Sequence, residues 1–561
     1  MDNKLQELMH RLRSGFPALH KAGMMVAMLL SFLSATAYDF EVDGIYYNVL
    51  SASDQTCKVT ASPYSYPDNY SGNIVIPSSV EFKNKIFTVT RIEDEGFSKC
   101  IGLKSIVIPN SVTKIGNSAF SGCSSLKSIA IPNSVNEIGS STFFNCSSLK
   151  SIELSDSITV IENKVFSGCT SLTSVVIPNS VTEIRMEAFR NCSSLTSIVI
   201  PNSVTEIGIS AFLYCSSLTS IIIPNSVTEI GKCAFAYCSS LTSVELSNSI
   251  TSIAQEVFSD CTSLASIVIP NSVTEIGMYA FYNCSSLTSI EIPESVEEIG
   301  DYVFQKCSSL EFLTIPASVT RGTWGMMWLR GCDKLKSLYF LSSKGFERPR
   351  YDNTYFPSSL EYIYWNSNTF PKEMKGGADS CSFTVGESCH FLERTFDKLT
   401  IEYGDVLWIN TGGYGGQYYR LDYLSLDRKD TYNEYYNRLK FIPKQLVLGE
   451  HITDCTKNIR TDEIVYLQSN AMVPPQIPAF SQMQYIDIVP VVPTAAIDAY
   501  KEAPVWKNFW NLTDVKGVAE DTQKTVVGTY DLNGRAVADD YSGIAIVRYS
   551  DGSTKKIVAK P

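Results

Sequence analysis

Between residues 100 and 316 the apolar positions fall on one repeated template. It reads Leu-x-x-Ile-x-Ile, a Pro-Asn-Ser turn, Val-x-x-Ile, then Ala-Phe or Val-Phe, and a cysteine. Cysteine recurs every 23 residues, at 100, 123, 146, 169, 192, 215, 238, 261, 284 and 307. In the unit from Cys123 to Phe144, the spacing of Leu126, Ile129 and Ile131 predicts a short strand with those three side chains inward. Pro132-Asn133-Ser134 ends it, because proline lacks a donor and asparagine tolerates turn geometry. Val135, Ile138 and Phe143 are the inward residues of the return side, and Gly139 reads as a tight bend. A fixed period of this length predicts a solenoid of stacked coils, in which no coil buries its own apolar face.

The pattern changes toward both ends. Residues 38–99 read as a β cap with a first irregular repeat. Phe40 to Leu50 alternates as a hairpin about Asp43-Gly44, Ile74–Val80 is a repeat fragment, and 81–88 interrupts the template. Residues 317–515 read as irregular repeats closed by a cap. Strands are expected at 335–341, 357–364, 401–403, 406–409 and 439–443, with little visible period from 376 to 470. Thr411–Tyr419 is glycine-rich but lacks the lysine and hydroxyl of a phosphate loop, so it reads as a surface loop. Ala495–Phe509 predicts a covering helix with Ile497, Tyr500 and Trp506 on its apolar side. Residues 516–525 read as a linker. Residues 526–561 read as a three-stranded antiparallel module turning at Asn533-Gly534 and Asp551-Gly552.

Residues 1–37 look like an address. An apolar run at 23–33 follows Lys21 and precedes Ala35-Thr36-Ala37, the form of a secretory signal peptide, with 1–22 as a leader whose start codon is open. No other apolar segment is long enough for a transmembrane helix. The net charge of −12 disfavours nucleic acid as a partner. Only His390 and His451 lie beyond residue 37, and no CxxC pair occurs, so neither a catalytic site nor a cofactor or metal site is expected. Asp397, Glu402 and Asp405 have no spacing that supports an acid/base pair. Two readings of the cysteine column stand: buried thiols packed as small hydrophobes, which is preferred, or disulfides. Cys233 lies off the column, at a position expected to be exposed, and of the thiols it is the one most expected to react.

Two outward columns are the candidate binding faces. Between the two isoleucines of each strand stand Val107, Val176, Val199, Ile222 and Val268, with Ala130, Glu153, Glu245, Glu291 and Thr314 at the other coils. An apolar stripe on a solvated sheet suits protein binding, although strand propensity alone also selects such residues. The second column holds Glu183, Glu206, Glu229 and Glu275, with Glu137 and Glu298, and either attracts a basic partner or cations or is a solvated face.

Residues 192–212 and 215–235, Cys-Ser-Ser-Leu-Thr-Ser-Ile-x-Ile-Pro-Asn-Ser-Val-Thr-Glu-Ile-Gly-x-x-Ala-Phe, resemble the BspA-type leucine-rich repeats of bacterial surface proteins, over about 74–340. The entry segment 38–50 and the closing segment 495–509 are similar to the ends of such arrays in Bacteroidetes. The resemblance implies a leucine-rich-repeat, β-rich right-handed coil, no catalytic residues or cofactor, and adhesion to host or other extracellular proteins. Residues 526–561 are similar to a type IX secretion sorting domain, which implies attachment at the outer surface. A secreted or cell-surface binding protein is therefore expected. The alternatives are a self-associating envelope or matrix component and an enzyme with a site in 376–470.

Overall fold

The computed structural model describes residues 38–63, 70–321 and 329–342, most of 353–514, and three strands beyond them. The leader 1–37 and the linker 516–525 lie outside the described residues. The chain divides into two compact units, residues 1–180 and 181–561.

In the first unit, β1 (Phe40–Val42) and β2 (Ile45–Ser51) form the expected antiparallel hairpin. Asp43 and Gly44 both take positive φ, 50° and 77°, as a two-residue hairpin turn requires. β2 pairs antiparallel with β3 (Thr56–Val59), and β4 (Gly72–Val75) begins the first coil. The interruption at 81–88 is a second hairpin, of β5 (Ser79–Phe82) and β6 (Lys85–Ile92), with positive φ at Lys83 and Asn84. Phe40 stacks on Phe82 at 4.4 Å, closing the end of the core. β3 pairs parallel with β6, and that sheet continues through Lys114–Ile115 and Glu137–Ile138. β7 (Leu103–Val107) pairs parallel with β4 and starts the other strand column, and Ser128–Ala130 and Ser151–Glu153 pair likewise in that column. The fold is thus a β-solenoid with two short strands per coil.

The third side of each coil consists of turns. Phe97, Phe120, Phe143 and Phe166 stack inside it at 5.3–5.7 Å between ring centroids. Its backbone is stitched to the next coil through alternate N–H groups: Ser141, Phe143 and Asn145 donate to Asn163, Val165 and Ser167. Left-handed residues aim those donors up the stack. Ser118, Ser141 and Lys164 form one such position, and Lys99, Gly122, Asn145 and Gly168 a second. Gly139 is not the bend residue the sequence suggested. Its φ is not positive, and a Cβ there would stand 2.5 Å from the Asn117 nitrogen, so glycine serves close approach of the neighbouring coil.

The second unit repeats this architecture. Phe189, Phe212 and Phe235 stack at 5.2 Å, and Glu-Ile strands pair in register from coil to coil, as in Glu206–Ile207 with Glu229–Ile230. The solenoid does not dissolve after residue 317. A ten-stranded parallel sheet runs from Phe312–Ile315 through Ser337–Phe340, Tyr362–Trp365, Ser382–Val385, Lys398–Ile401, Tyr418–Leu426, Lys440–Leu448, Tyr466–Ser469 and Val491–Val492 to Thr513–Asp514. Leu313, Leu338, Ile363, Phe383, Leu399, Leu424, Leu446 and Leu467 hold one register position along it, all buried.

Two short helices cover the last coils. α1 (Gln482–Asp487) starts at a capping box of Ser481 and Gln484, a start signal carried by the sequence itself. The helix expected over 495–509 is broken: a 3-10 turn at Thr494–Ala496, α2 at Ile497–Glu502, and another 3-10 turn at Trp506–Asn508. Pro504 forces the break, since the residue before proline avoids helical geometry, and Val505 has φ 69°. Tyr500 and Trp506 are buried as expected, whereas Ile497 is only half-buried and Ala496 packs inside. Val526–Asp531, Gly543–Tyr549 and Thr554–Ala559 pair as an antiparallel three-stranded sheet.

Candidate binding faces

Strand alternation places Ile198 and Ile200 inward and Val199 between them outward, and the same logic holds coil by coil. In the second unit Val199, Ile222 and Val268 are 78, 61 and 72% exposed, while the flanking isoleucines are buried to 7% or less. Ile222 lies opposite Glu245 in the parallel register, and Val268 bridges to Glu291. The column there is an apolar pair followed by alternation with carboxylates, not an unbroken stripe. In the first unit Val107 and Val176 are both exposed. Val75, which the sequence reading did not include, pairs with Val107 in the parallel register and extends that column.

The acidic column is partly neutralised. Glu183 pairs with Arg185 at 3.0 Å, Glu137 with Lys114 at 2.6 Å, and Arg321 approaches Glu298 at 4.0 Å. Glu206, Glu229 and Glu275 are exposed and have no cationic partner among the described residues. Glu183 stacks on Glu206, Glu206 on Glu229, and Glu275 on Glu298, which places like charges one strand apart.

The cysteines are chemically quiet. Every described cysteine is a free thiol, and all but Cys233 are buried. From Cys123 onward the column thiols whose bonds are described donate to the carbonyl of the phenylalanine before the preceding cysteine, as Cys146 Sγ does to Phe120 O at 3.1 Å and Cys284 Sγ to Phe258 O at 3.2 Å, whereas Cys100 Sγ donates to Ser98 O at 3.8 Å. Burial pushes Cys169 and Cys238 up to about 12. Cys233 is less exposed than expected, and among the described cysteines it is the one that is not fully buried. It is half-buried, its Sγ donates to Glu256 Oε2 at 3.6 Å, and burial together with that carboxylate pushes it up to about 11.

The 376–470 segment shows packing chemistry. Arg428 is fully buried, and its guanidinium donates to the carbonyls of Glu402 (3.0 Å) and Gly386. The Glu402 carboxylate accepts from Tyr364 Oη at 3.0 Å, and Asp427 Oδ2 lies 3.0 Å from His451 Nδ1. Asp397, Asp405 and the glycine-rich stretch 411–417 lie outside the described residues. Among the described residues no group of three His, Cys, Asp or Glu side chains is placed to hold a metal, and no helix is long and apolar enough to cross a membrane.

The sequence over 90–219 and 205–336 matches the BspA type leucine rich repeat region, in six copies, over less than half of the chain. No curated protein matches the chain. Among solved structures it is similar to a leucine-rich repeat protein from Bacteroides ovatus, at 29% identity and TM-score 0.38, covering 55% of this chain and 99% of that one. It is also similar to a leucine rich cell surface protein from Faecalibacterium prausnitzii, at 25% identity and TM-score 0.31, covering 55% and 96%. A T. pallidum leucine rich repeat protein matches at 25% identity and TM-score 0.25, covering 44% and 90%.

Proposed function

We propose that the chain is a secreted or cell-surface binding protein that holds a partner protein against the outward strand positions, in the manner of an adhesin. The observation that carries this reading is the contrast within single strands of the second unit. Val199, Ile222 and Val268 stand 61–78% exposed, while the isoleucines on either side of each are buried. BspA-type repeats over 90–336 and the signal-like leader support it. Display at the outer surface through residues 526–561 belongs to the same proposal, and proteolysis of intact cells tests it. If the chain is displayed, external protease removes it.

The test of binding is capture of extracellular-matrix and cell-surface proteins by the purified chain. The triple variant Val199→Asp, Ile222→Asp, Val268→Asp should keep its circular dichroism and thermal transition, because the changes are at exposed positions. Saturable capture should fall at least tenfold. Full retention of capture by the folded triple variant would sink the assignment of this face.

A further inference from the structure

One template position changes character along the array. After the first leucine of each strand stand Thr173, Thr196, Thr219, Thr242 and Thr288, interrupted by Ala265 and followed by Glu311 and Lys336. The hydroxyls of Thr173, Thr219, Thr242 and Thr288 donate to the preceding coil's carbonyl, as Thr242 Oγ1 does to Thr219 O at 3.0 Å. In the three coils before Thr173 the residues at this position are Lys104, Lys127 and Lys150. All three are exposed, and among the described residues none is held by a carboxylate. Lys150 N–H donates to Lys127 O at 2.9 Å, so these two lie on neighbouring coils, and Lys104 has the same template position one coil earlier. Like charges on successive rungs repel, and nothing in the fold uses them.

Across each rung the lysine is followed by a serine and then by the outward apolar position: Lys104, Ser105 and Val107, then Lys127, Ser128 and Ala130. The latter two apolar residues, with Pro132, Asn133 and Glu153, line a shallow groove. Charge, hydroxyl and apolar surface therefore form three parallel columns at the strand spacing of about 4.8 Å.

We propose that this face of the first unit binds an acidic polysaccharide with one carboxylate or sulfate per sugar. Its anionic groups lie along Lys104, Lys127 and Lys150, its hydroxyls along the serines, and its C–H face on Val107 and Ala130. Hydroxyl and C–H surface beside each anionic group set such a chain apart from an acidic peptide, whose carboxylates stand on an amide backbone. Glu153, at the end of the groove, opposes the anion at the Lys150 rung.

This goes beyond the protein-binding reading and does not depend on it. The experiment is binding of the full chain to heparin and to polygalacturonate, with dextran, poly-glutamate and oligo-dT as comparison ligands, at several salt concentrations. Saturable, salt-sensitive binding to a polyanionic glycan is expected, and heparin against polygalacturonate tells sulfate from carboxylate. Lys104→Thr, Lys127→Thr, Lys150→Thr together should weaken it about tenfold, as three exposed ion pairs do. Glu153→Gln should tighten it, and removal of Lys232, Lys334 and Lys457 should leave it within about twofold. Absence of glycan binding, equal loss in the control triple, or equal binding of dextran, poly-glutamate or oligo-dT overturns the proposal. A melting transition unchanged in the lysine triple keeps misfolding from imitating loss of a site. Protein capture through Val199, Ile222 and Val268 survives the lysine changes, so the two readings fail separately.

Discussion

Cys233 differs from the column thiols in having a carboxylate as its partner. Glu256 both accepts its S–H and repels a thiolate, so deprotonation is opposed from outside as well as by burial. Glu256→Gln should lower the thiol's pKa and speed its alkylation at pH 8 several-fold. Site-resolved mass spectrometry reads this, and an unchanged rate would mean that burial alone governs. For the column thiols the folded pKa is raised from about 9, so the folded state prefers the protonated form. Their contribution to stability is complete below pH 9 and is lost as pH rises from about 9 toward about 12. Each such thiol costs about 1.4 kcal/mol per pH unit in that window. Urea midpoints should therefore fall steeply above pH 9, and Cys238→Ala should flatten the slope by about one proton. Ser155 and Ser247 stand where other coils have proline. Each is fully buried, and each hydroxyl donates to a valine carbonyl of the preceding coil and accepts from the N–H two residues on. Ser247→Ala should cost about 1–3 kcal/mol by leaving the buried Val227 carbonyl unpaired, and a cost near zero by denaturant titration would contradict that account.

Among the elements, the C-terminal cap concentrates the most specific packing. Trp506 Nε1 donates to Pro475 O at 2.8 Å, its ring meets Tyr500 edge-on at 4.7 Å, and Tyr500 Oη donates to Ala471 O. Trp506→Ala should remove about 3–5 kcal/mol of local stability. Neighbour-limited coupling in a solenoid confines the effect, so hydrogen exchange should quicken across 466–514 and stay unchanged across 190–300. Global loss of protection would contradict this. What was legible in the sequence follows the same division. The core of the regular coils, the Asp43-Gly44 hairpin and the outward placement of Val199 could be read because one template is printed many times. The 376–470 strands could not. Their register step ranges from 16 residues (Ser382 to Lys398) to 25 (Lys398 to Tyr423), and Cys381, Cys389, Cys455 and Pro443 no longer fall at a fixed interval. The left-handed positions were hidden for another reason: Ser141, Lys164, Cys233 and Tyr279 all adopt positive φ without glycine, because the stacked backbone bonds hold them there. Two signals were present and passed over, the Ser481–Gln484 capping box and the run of Lys104, Lys127 and Lys150.

At the scale of the whole molecule, the entry hairpins decide whether the array has a free end. β1 lies at the edge of its sheet, and Phe40, Phe82 and Phe87 close the core beneath it. Deleting residues 38–60 would remove β3 from beside β6 and uncover that edge, inviting pairing with another chain. Light scattering should then show concentration-dependent association absent from the full chain, and a monodisperse truncated protein would count against the capping role.

The register of 23 residues has a genetic corollary. Excising Cys215–Tyr237 would set Phe212 on Phe258 and join two coils that already fit, so the interior would notice little. The exterior would be rewritten, with Val199 now beside Glu245. Unequal crossing-over between such similar units can therefore rearrange what the surface offers while the fold is inherited intact, and lineages of this gene should differ in copy number by whole coils.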